Sequence, residues 1–199
     1  MRPSSAAKRE QILEAASILF VQHGYTDTSM ETVAQHAGVS KQTVYSHFGN
    51  KDELFTAAIQ CKCQRYELSD LFAATEGALR ERLLDIGRQF VQLILSEEAC
   101  RVHRTCVSQV DTQPQAAELF FAAGPQTVIS GLSEMLAREA ANGQLRITNP
   151  RHAAIQFLLM VQGEAQIRSE LGIEPQLDEA EIDAYIVSSV DLFLRGYAA

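Results

Sequence analysis

The chain has 199 residues with a formal net charge of −8 and no tryptophan. That length fits one or two domains, and no apolar run approaches the ~18 residues a membrane span needs. The acidity argues against a phosphate-binding surface only if it is evenly spread. It is not: residues 1–55 carry five Lys/Arg against six Asp/Glu, while residues 56–199 carry twelve against nineteen. Arg2, Lys8, Arg9, Lys41 and Lys51 therefore remain available near the amino terminus. Glu14 interrupts what could pass for a signal-peptide core, so the expected location is the cytoplasm. Four cysteines are then expected as reduced, structural thiols; a redox pair involving Cys100 or Cys106 is the competing reading.

Apolar residues recur at helical spacing along nearly the whole chain, and Gly and Pro fall between the periodic runs, which predicts an all-α fold. Residues 7–23 place Ile12, Ala16, Leu19 and Phe20 on one stripe, and Gly24 follows as a C-cap. A short helix over 29–37 turns Met30, Val33, Ala34 and Ala37 inward. Thr28 stands three residues before Glu31 in a capping-box pattern, with Ser29 as the rival cap. "AGVS" is a turn in which Gly38 frees the backbone and Ser40 caps a third helix, about 41–47. That helix turns Val44 and Phe48 inward and leaves Lys41, Gln42, Tyr45 and Ser46 outward. Asn50, with Glu53 three residues on, opens a fourth helix running to about residue 73.

A helix of two turns is unstable alone, so the third must be braced from behind while its polar side meets something else. Two helices joined by a tight glycine turn, the second short and polar outward, match a helix-turn-helix whose second helix enters the major groove. Ser and Thr hydroxyls, with the free N–H groups of helix starts, hold phosphate without net positive charge.

Domain limits follow as 1–53 for the helix-turn-helix domain, 54–75 for a connecting helix and 76–199 for a second helical domain. Within the last, helices are expected over 78–95, 97–110, 115–123, from Gly124-Pro125 to 141, from Pro150 to Gly172, and through "LDEAEIDAYIVSSVDLFLRGY". Ala153, Ala154, Phe157, Val161 and Ala165, with Gly163 allowing close approach, form one stripe; Ile182, Ile186, Ser189 and Phe193 form another. Both suit self-association or, equally, the chain's own core; read as the former, Ala154, Phe157, Val161, Ile182, Ile186, Ser189 and Phe193 are the expected dimer contacts. Phe90, Ile94, His103, Cys106, Val107, Phe121 and Met160 are apolar or polarisable groups on the middle helices, candidates to line a small-molecule pocket or else to pack the core, with Arg104, Gln162 and Gln166 as polar anchors. No Ser/His/Asp set, metal cluster or phosphate loop stands at catalytic spacing, and "GLSEML" lacks the second glycine of a nucleophile elbow. No enzyme activity, metal or cofactor is expected.

The run "REQILEAASILFVQHGYTDTSMETVAQHAGVSKQTVYSHFGNKDELFTAAI" resembles the amino-terminal domain of TetR/AcrR-family bacterial transcriptional regulators. The segment bearing "SEEACRVHR", "FFAAGP", "NGQLRITNP" and "QGEAQIR" resembles the carboxy-terminal domain of the AefR-like branch. Arg104 falls where that branch tends to carry Arg; His103 and Gln109 replace a common aromatic and a common acid. The resemblance implies a homodimer, double-stranded operator DNA as partner, and a small-molecule effector bound in the carboxy-terminal domain, most simply releasing a repressor. A redox-switched regulator and an activator without a ligand are the alternatives. It further implies that Ser40, Lys41, Gln42, Thr43, Tyr45 and His47 contact the operator. Ser29 or Thr28, with Lys51, would hold phosphates. Position 42 is often glycine in related motifs, and Gln42 has an amide suited to adenine.

Overall fold

The computed structural model describes residues 4–173 and 178–199. Among them are eleven helices and one isolated bridge, between Leu145 and Ala198. The chain divides into two compact units, one of residues 1–65 with 101–125, the other of 66–100 with 126–199.

The first unit opens with α1 (Ser5–His23), capped by Ser4 and closed at Gly24, whose φ of 73° suits a residue without a side chain. The helices α2 (Met30–His36), α3 (Lys41–Phe48) and α4 (Lys51–Gln64) follow, each opened by a side-chain cap, Ser29, Ser40 and Asn50 respectively. Three consecutive caps on elements this short show how local hydrogen bonding sets the boundaries; each is worth about 1 kcal/mol. Packing does the rest. Ile12, Ala16 and Phe20 of α1 meet Val33 of α2, Val44 and Phe48 of α3, and Leu54 and Phe55 of α4 in one core. Phe20 stands edge-on to Phe55 at 4.9 Å. The second half of α7 (Glu97–Ser108) and all of α8 (Pro114–Ala123) belong to this unit as well. Val102 and Cys106 complete its core, and Leu119 and Phe120 pack against it.

The second unit holds α5 (Leu68–Ala73), α6 (Leu79–Leu95), α9 (Pro125–Ala141, but for Pro125), α10 (Pro150–Glu170) and α11 (Glu179–Gly196). The single helix expected to run on to residue 73 is interrupted: Arg65 caps α4, and Glu67 turns into the left-handed region at φ 51° before α5 begins. That turn lets Leu68 and Phe72 be buried in the second unit. Its centre is the packing of α6 against α10 and α11. Gly87 lies under Ile186, Val161 and Phe157, and Phe157 meets Phe193 edge-on at 5.2 Å. Arg80 and Arg88 clamp α6 to α11 through Asp191 and Asp183, each with a 2.7 Å Nε–Oδ1 bond. Arg82 and Glu139 form a buried pair at 2.8 Å.

One consequence is a correction to the expected dimer contacts. Ala154, Phe157, Val161, Ile186, Ser189 and Phe193 are all buried within this unit, and Ile182 is half-buried. The Ser189 hydroxyl donates to the Met160 carbonyl of the same chain. These stripes face their own core because α6 has a strong apolar face that must be covered. The apolar side chains left outward on the same two helices are Leu159 (61% exposed), Ile167 (59%), Tyr185 (50%) and Leu192 (56%). Gly163 interrupts α10 with φ 56°, and a Cβ there would meet the Tyr185 ring.

Candidate nucleic-acid interface

The outer surface of α3 is polar and open. Ser40, Lys41, Gln42, Tyr45 and Ser46 are exposed, with Thr43 and His47 half-buried, while Val44 and Phe48 anchor the helix from behind. The Ser40 Oγ accepts from the Thr43 backbone N–H at 3.2 Å, and the two hydroxyls lie 2.8 Å apart. This closes the helix start locally and draws Thr43 toward its cap. Ser46 donates back to the Thr43 carbonyl. Gln42 and Tyr45 stay exposed beside this closed start. Lys41 pairs with Glu31 of α2, and its Nζ sits 5.6 Å from the Tyr45 ring centre. The Glu31 hydrogen bond raises the Lys41 ammonium and lowers the Glu31 carboxyl from their ordinary ranges.

Helix α2 repeats the same device one helix upstream. Ser29 accepts from the Thr32 N–H at 3.0 Å, and their hydroxyls are 2.7 Å apart. Ser-x-x-Thr thus opens both helices, and Thr32 joins the candidate phosphate-facing groups that sequence reasoning missed; the repeat of the S-x-x-T spacing was the signal. Thr28 is the opposite case. It is 1% exposed, and its hydroxyl is shared between the Gly24 carbonyl at 2.8 Å and the Leu19 carbonyl at 3.2 Å. It staples the end of α1 and does not face outward, whereas Ser29 is the cap of α2.

Lys51, at the start of α4, donates to the Thr26 carbonyl at 3.1 Å and lies 4.3 Å from the Tyr25 ring centre. Desolvation lowers its ammonium from the ordinary lysine value, against the pull of Asp52 and Asp27. Together these positions make a strip of helix starts and hydroxyls with two lysines, suited to anions and to base edges without a basic domain.

The ten expected effector residues do not come together in one unit. Phe90 (buried) and Ile94, Met160, Gln162 and Gln166 (half-buried) belong to the second. The Gln166 amide donates to Glu170, while its own oxygen is buried with no hydrogen-bond partner. His103, Arg104, Cys106, Val107 and Phe121 belong to the first unit. There Cys106 is core, Val107 and Phe121 are exposed, and His103 lies 5.9 Å from the Phe120 ring. Burial pushes the Cys106 thiol up to about 11 and also raises Cys63, which leaves both poor in thiolate at neutral pH. Cys100 is buried with its sulfur 2.8 Å from the Ser169 hydroxyl. These surroundings favour structural thiols over a redox switch. Among the described residues no group of three or more His, Cys, Asp and Glu could hold a metal, and no helix is long and apolar enough to cross a membrane.

Residues 12–58 match the family profile described as bacterial regulatory proteins of the tetR family, and residues 81–199 match the carboxy-terminal domain of AefR-like transcriptional repressors. Among curated relatives, the transcriptional regulator TtgR of Pseudomonas putida is 28% identical over 78% of this chain and 77% of its own. The regulator YezE of Bacillus subtilis is 25% identical over 55% of this chain, and the chain spans only 58% of YezE's length. The activator FasR of Mycolicibacterium smegmatis is 47% identical, but across 27% of this chain and 24% of its own. Of solved structures, the flavonoid-responsive regulator FrrA is 30% identical with a TM-score of 0.75, covering 97% of this chain and 98% of its own. A regulator from Mesorhizobium loti, at 24% identity and TM-score 0.79 over the whole of both chains, shares the fold.

Proposed function

The chain belongs to the TetR family of bacterial regulatory proteins, DNA-binding transcriptional regulators rather than enzymes, and from that premise we propose that it is a homodimeric repressor released from its operator by a small molecule. The observation that carries the reading is α3 itself: a braced helix whose exposed start presents Ser40, Lys41, Gln42 and Tyr45. In this reading Gln42 reads a base edge, bidentate to adenine, and Lys41, Tyr45 and His47 meet the adjacent backbone. Ser40 and Thr43 at the start of α3, Ser29 at the start of α2 and Lys51 at the start of α4 hold phosphates and so fix the register. A major groove admits one helix, and a pair of heads reads two half-sites about one helical turn apart.

Repression is favoured over activation by the region that each likeness covers. The likeness to the activator FasR is confined to about a quarter of the chain, whereas the repressor profile spans 81–199. Pairing is supported by the outward Leu159, Tyr185 and Leu192, an apolar set that a two-fold copy of itself would cover. A small-molecule effector is supported by the likeness to a regulator named as flavonoid-responsive. The buried, unpartnered oxygen of Gln166 supplies a place for a ligand donor, and Phe90, Ile94, Met160 and Gln162 of the same unit are the candidate lining. Release requires that the effector favour the conformation whose heads no longer fit the groove spacing.

The test begins with selection of bound duplexes from a random pool, followed by titration of the selected site. A palindromic site bound by two chains, weakened by Gln42→Ala mainly at one base position and displaced by a flavonoid or another small aromatic compound, is the expected result. Equal binding to any duplex would overturn the reading.

A further inference from the structure

We propose that Gln115 and Gln109 are positioning residues for DNA binding: from the segment after residue 100 they hold the turn 24–29 and the first turn of α4, and thereby set where Ser29 and Lys51 stand. The inference rests on the reading above that Ser29 and Lys51 hold phosphates.

Three contacts from residues 105–115 converge on these two turns, all inside the first unit. Thr105 lies so close beneath Gly24 that a Cβ there would come within 2.5 Å of its methyl group. The Thr26 hydroxyl donates to Gln109 Oε1 at 3.4 Å. The Gln115 Nε2 donates to Asp52 Oδ2 at 2.5 Å. Asp52 Oδ1 is taken by the Tyr25 phenol, so both carboxylate oxygens are engaged, one from the end of α1 and one from α8.

The geometry makes the role of each glutamine specific. Lys51 is the residue before Asp52, and it donates to the carbonyl of Thr26, the residue whose hydroxyl Gln109 accepts. Thr26 and Asp52 are therefore each held from two sides, by the head and by the glutamine-bearing segment. Ser29 follows Thr26 by three residues and caps α2. Phosphate contacts set register only when the donors sit at fixed separation, and here two donors on different elements are tied to one frame. Neither glutamine is buried, so their removal leaves the hydrophobic core intact.

The experiment uses the full-length protein and its selected duplex, and measures affinity, salt dependence and urea midpoint for Gln115→Met, Gln109→Ala, the double variant, Ser29→Ala and Lys51→Ala. Gln115→Met keeps the shape and removes the donor. The double variant is expected to bind about fivefold or more weakly, the loss of roughly one hydrogen bond's net worth or more. Its slope of log K against log salt is expected to fall by about one per head, as for Lys51→Ala. In a Lys51→Ala background the glutamine changes should add little further slope loss, because the contact they position is already gone. Unchanged affinity and slope in the glutamine variants, while Ser29→Ala and Lys51→Ala weaken binding, would overturn this inference and leave the phosphate reading standing. Full binding by Ser29→Ala and Lys51→Ala would remove the phosphate reading first and this inference with it. If the double variant unfolds, Gln115→Met alone decides by the same slope.

Discussion

Lys41 at the start of α3 is ion-paired with Glu31 on the first turn of α2, so the cation expected to meet DNA is already held by a carboxylate of its own head. Both side chains are more than half exposed, which keeps the pair weak and exchangeable. On the proposed reading, binding replaces Glu31 with phosphate. Glu31→Gln should therefore tighten operator binding by about two- to threefold at low salt, and the gain should fade as ionic strength rises. Lys41→Ala should weaken binding and flatten the salt slope by about one per head. Titration of both variants and of the double variant checks the point. The Glu31→Gln gain should largely disappear once Lys41 is absent, and its persistence would mean that Glu31 acts as a general repulsive charge.

Thr28 and Ser29, adjacent in sequence, should fail differently. Thr28→Val removes a buried hydroxyl that ties the end of α1 to the next turn, at a cost of about 1–3 kcal/mol if the carbonyls lose their partner. Once allowance is made for the folded fraction, its operator affinity should be nearly unchanged. Ser29→Ala loses the α2 cap, about 1 kcal/mol, and in addition weakens operator binding because the hydroxyl is at the surface. Urea unfolding beside a binding titration separates the two.

The contrast between those two residues also marks how far the sequence could be read. Caps and glycine turns are local signals, and Ser40, Asn50, Gly24 and Gly38 announced the helix-turn-helix directly. The same locality could not rank Thr28 against Ser29, because the partners of Thr28 are carbonyls at the end of another helix. The break at residues 65–67 has no glycine or proline in "CQRYELSD"; it is set by the burial of Leu68 and Phe72, a tertiary demand on a segment of ordinary helix formers. Apolar stripes on α10 and α11 were legible as stripes, but periodicity does not name the surface a stripe faces. Here α6 claimed them, and the outward Leu159, Ile167, Tyr185 and Leu192 went unread as scattered exposed residues. The glutamines that reach Asp52 and Thr26 lie 63 and 83 residues from their partners, beyond any pattern of spacing.

Tyr25 should titrate late. Burial, then the hydrogen bond to Asp52 and the charge of that carboxylate, push its phenol upward from its ordinary 10.0. The folded state thus keeps a proton that the unfolded chain gives up near pH 10. Unfolded chains bind fewer protons above that pH, so this contribution to stability is complete below pH 10 and declines as pH rises beyond it. Ultraviolet difference titration should show one tyrosine fewer ionising near pH 10 in the folded wild type than after denaturation. Tyr25→Phe should abolish that difference and flatten the alkaline loss of stability. An unchanged titration in the variant would place the late phenol on another tyrosine.

Leu159 and Phe157 lie two positions apart on α10 and point to opposite demands. Phe157 is fully buried against Phe193 and Gly87, so Phe157→Ala should destabilise the fold by about 3–5 kcal/mol through lost contact and cavity. Leu159 and Leu192 are open to solvent in the single chain, so Leu159→Asp or Leu192→Asp should leave the folded chain's urea midpoint, measured at dilution, close to wild type. If two copies meet across this face, each substitution appears twice in the interface, and burying a charge in place of an apolar side chain should raise the dimer dissociation constant by about a hundredfold or more. Sedimentation equilibrium over a range of concentrations reads that constant directly. A monomeric Leu159→Asp chain should also lose most of its affinity for a palindromic duplex while keeping weak binding to a half-site, since a single head makes half the phosphate contacts. A wild-type dissociation constant in both Asp variants would exclude this face as the contact and move the search for it to other surfaces of the chain.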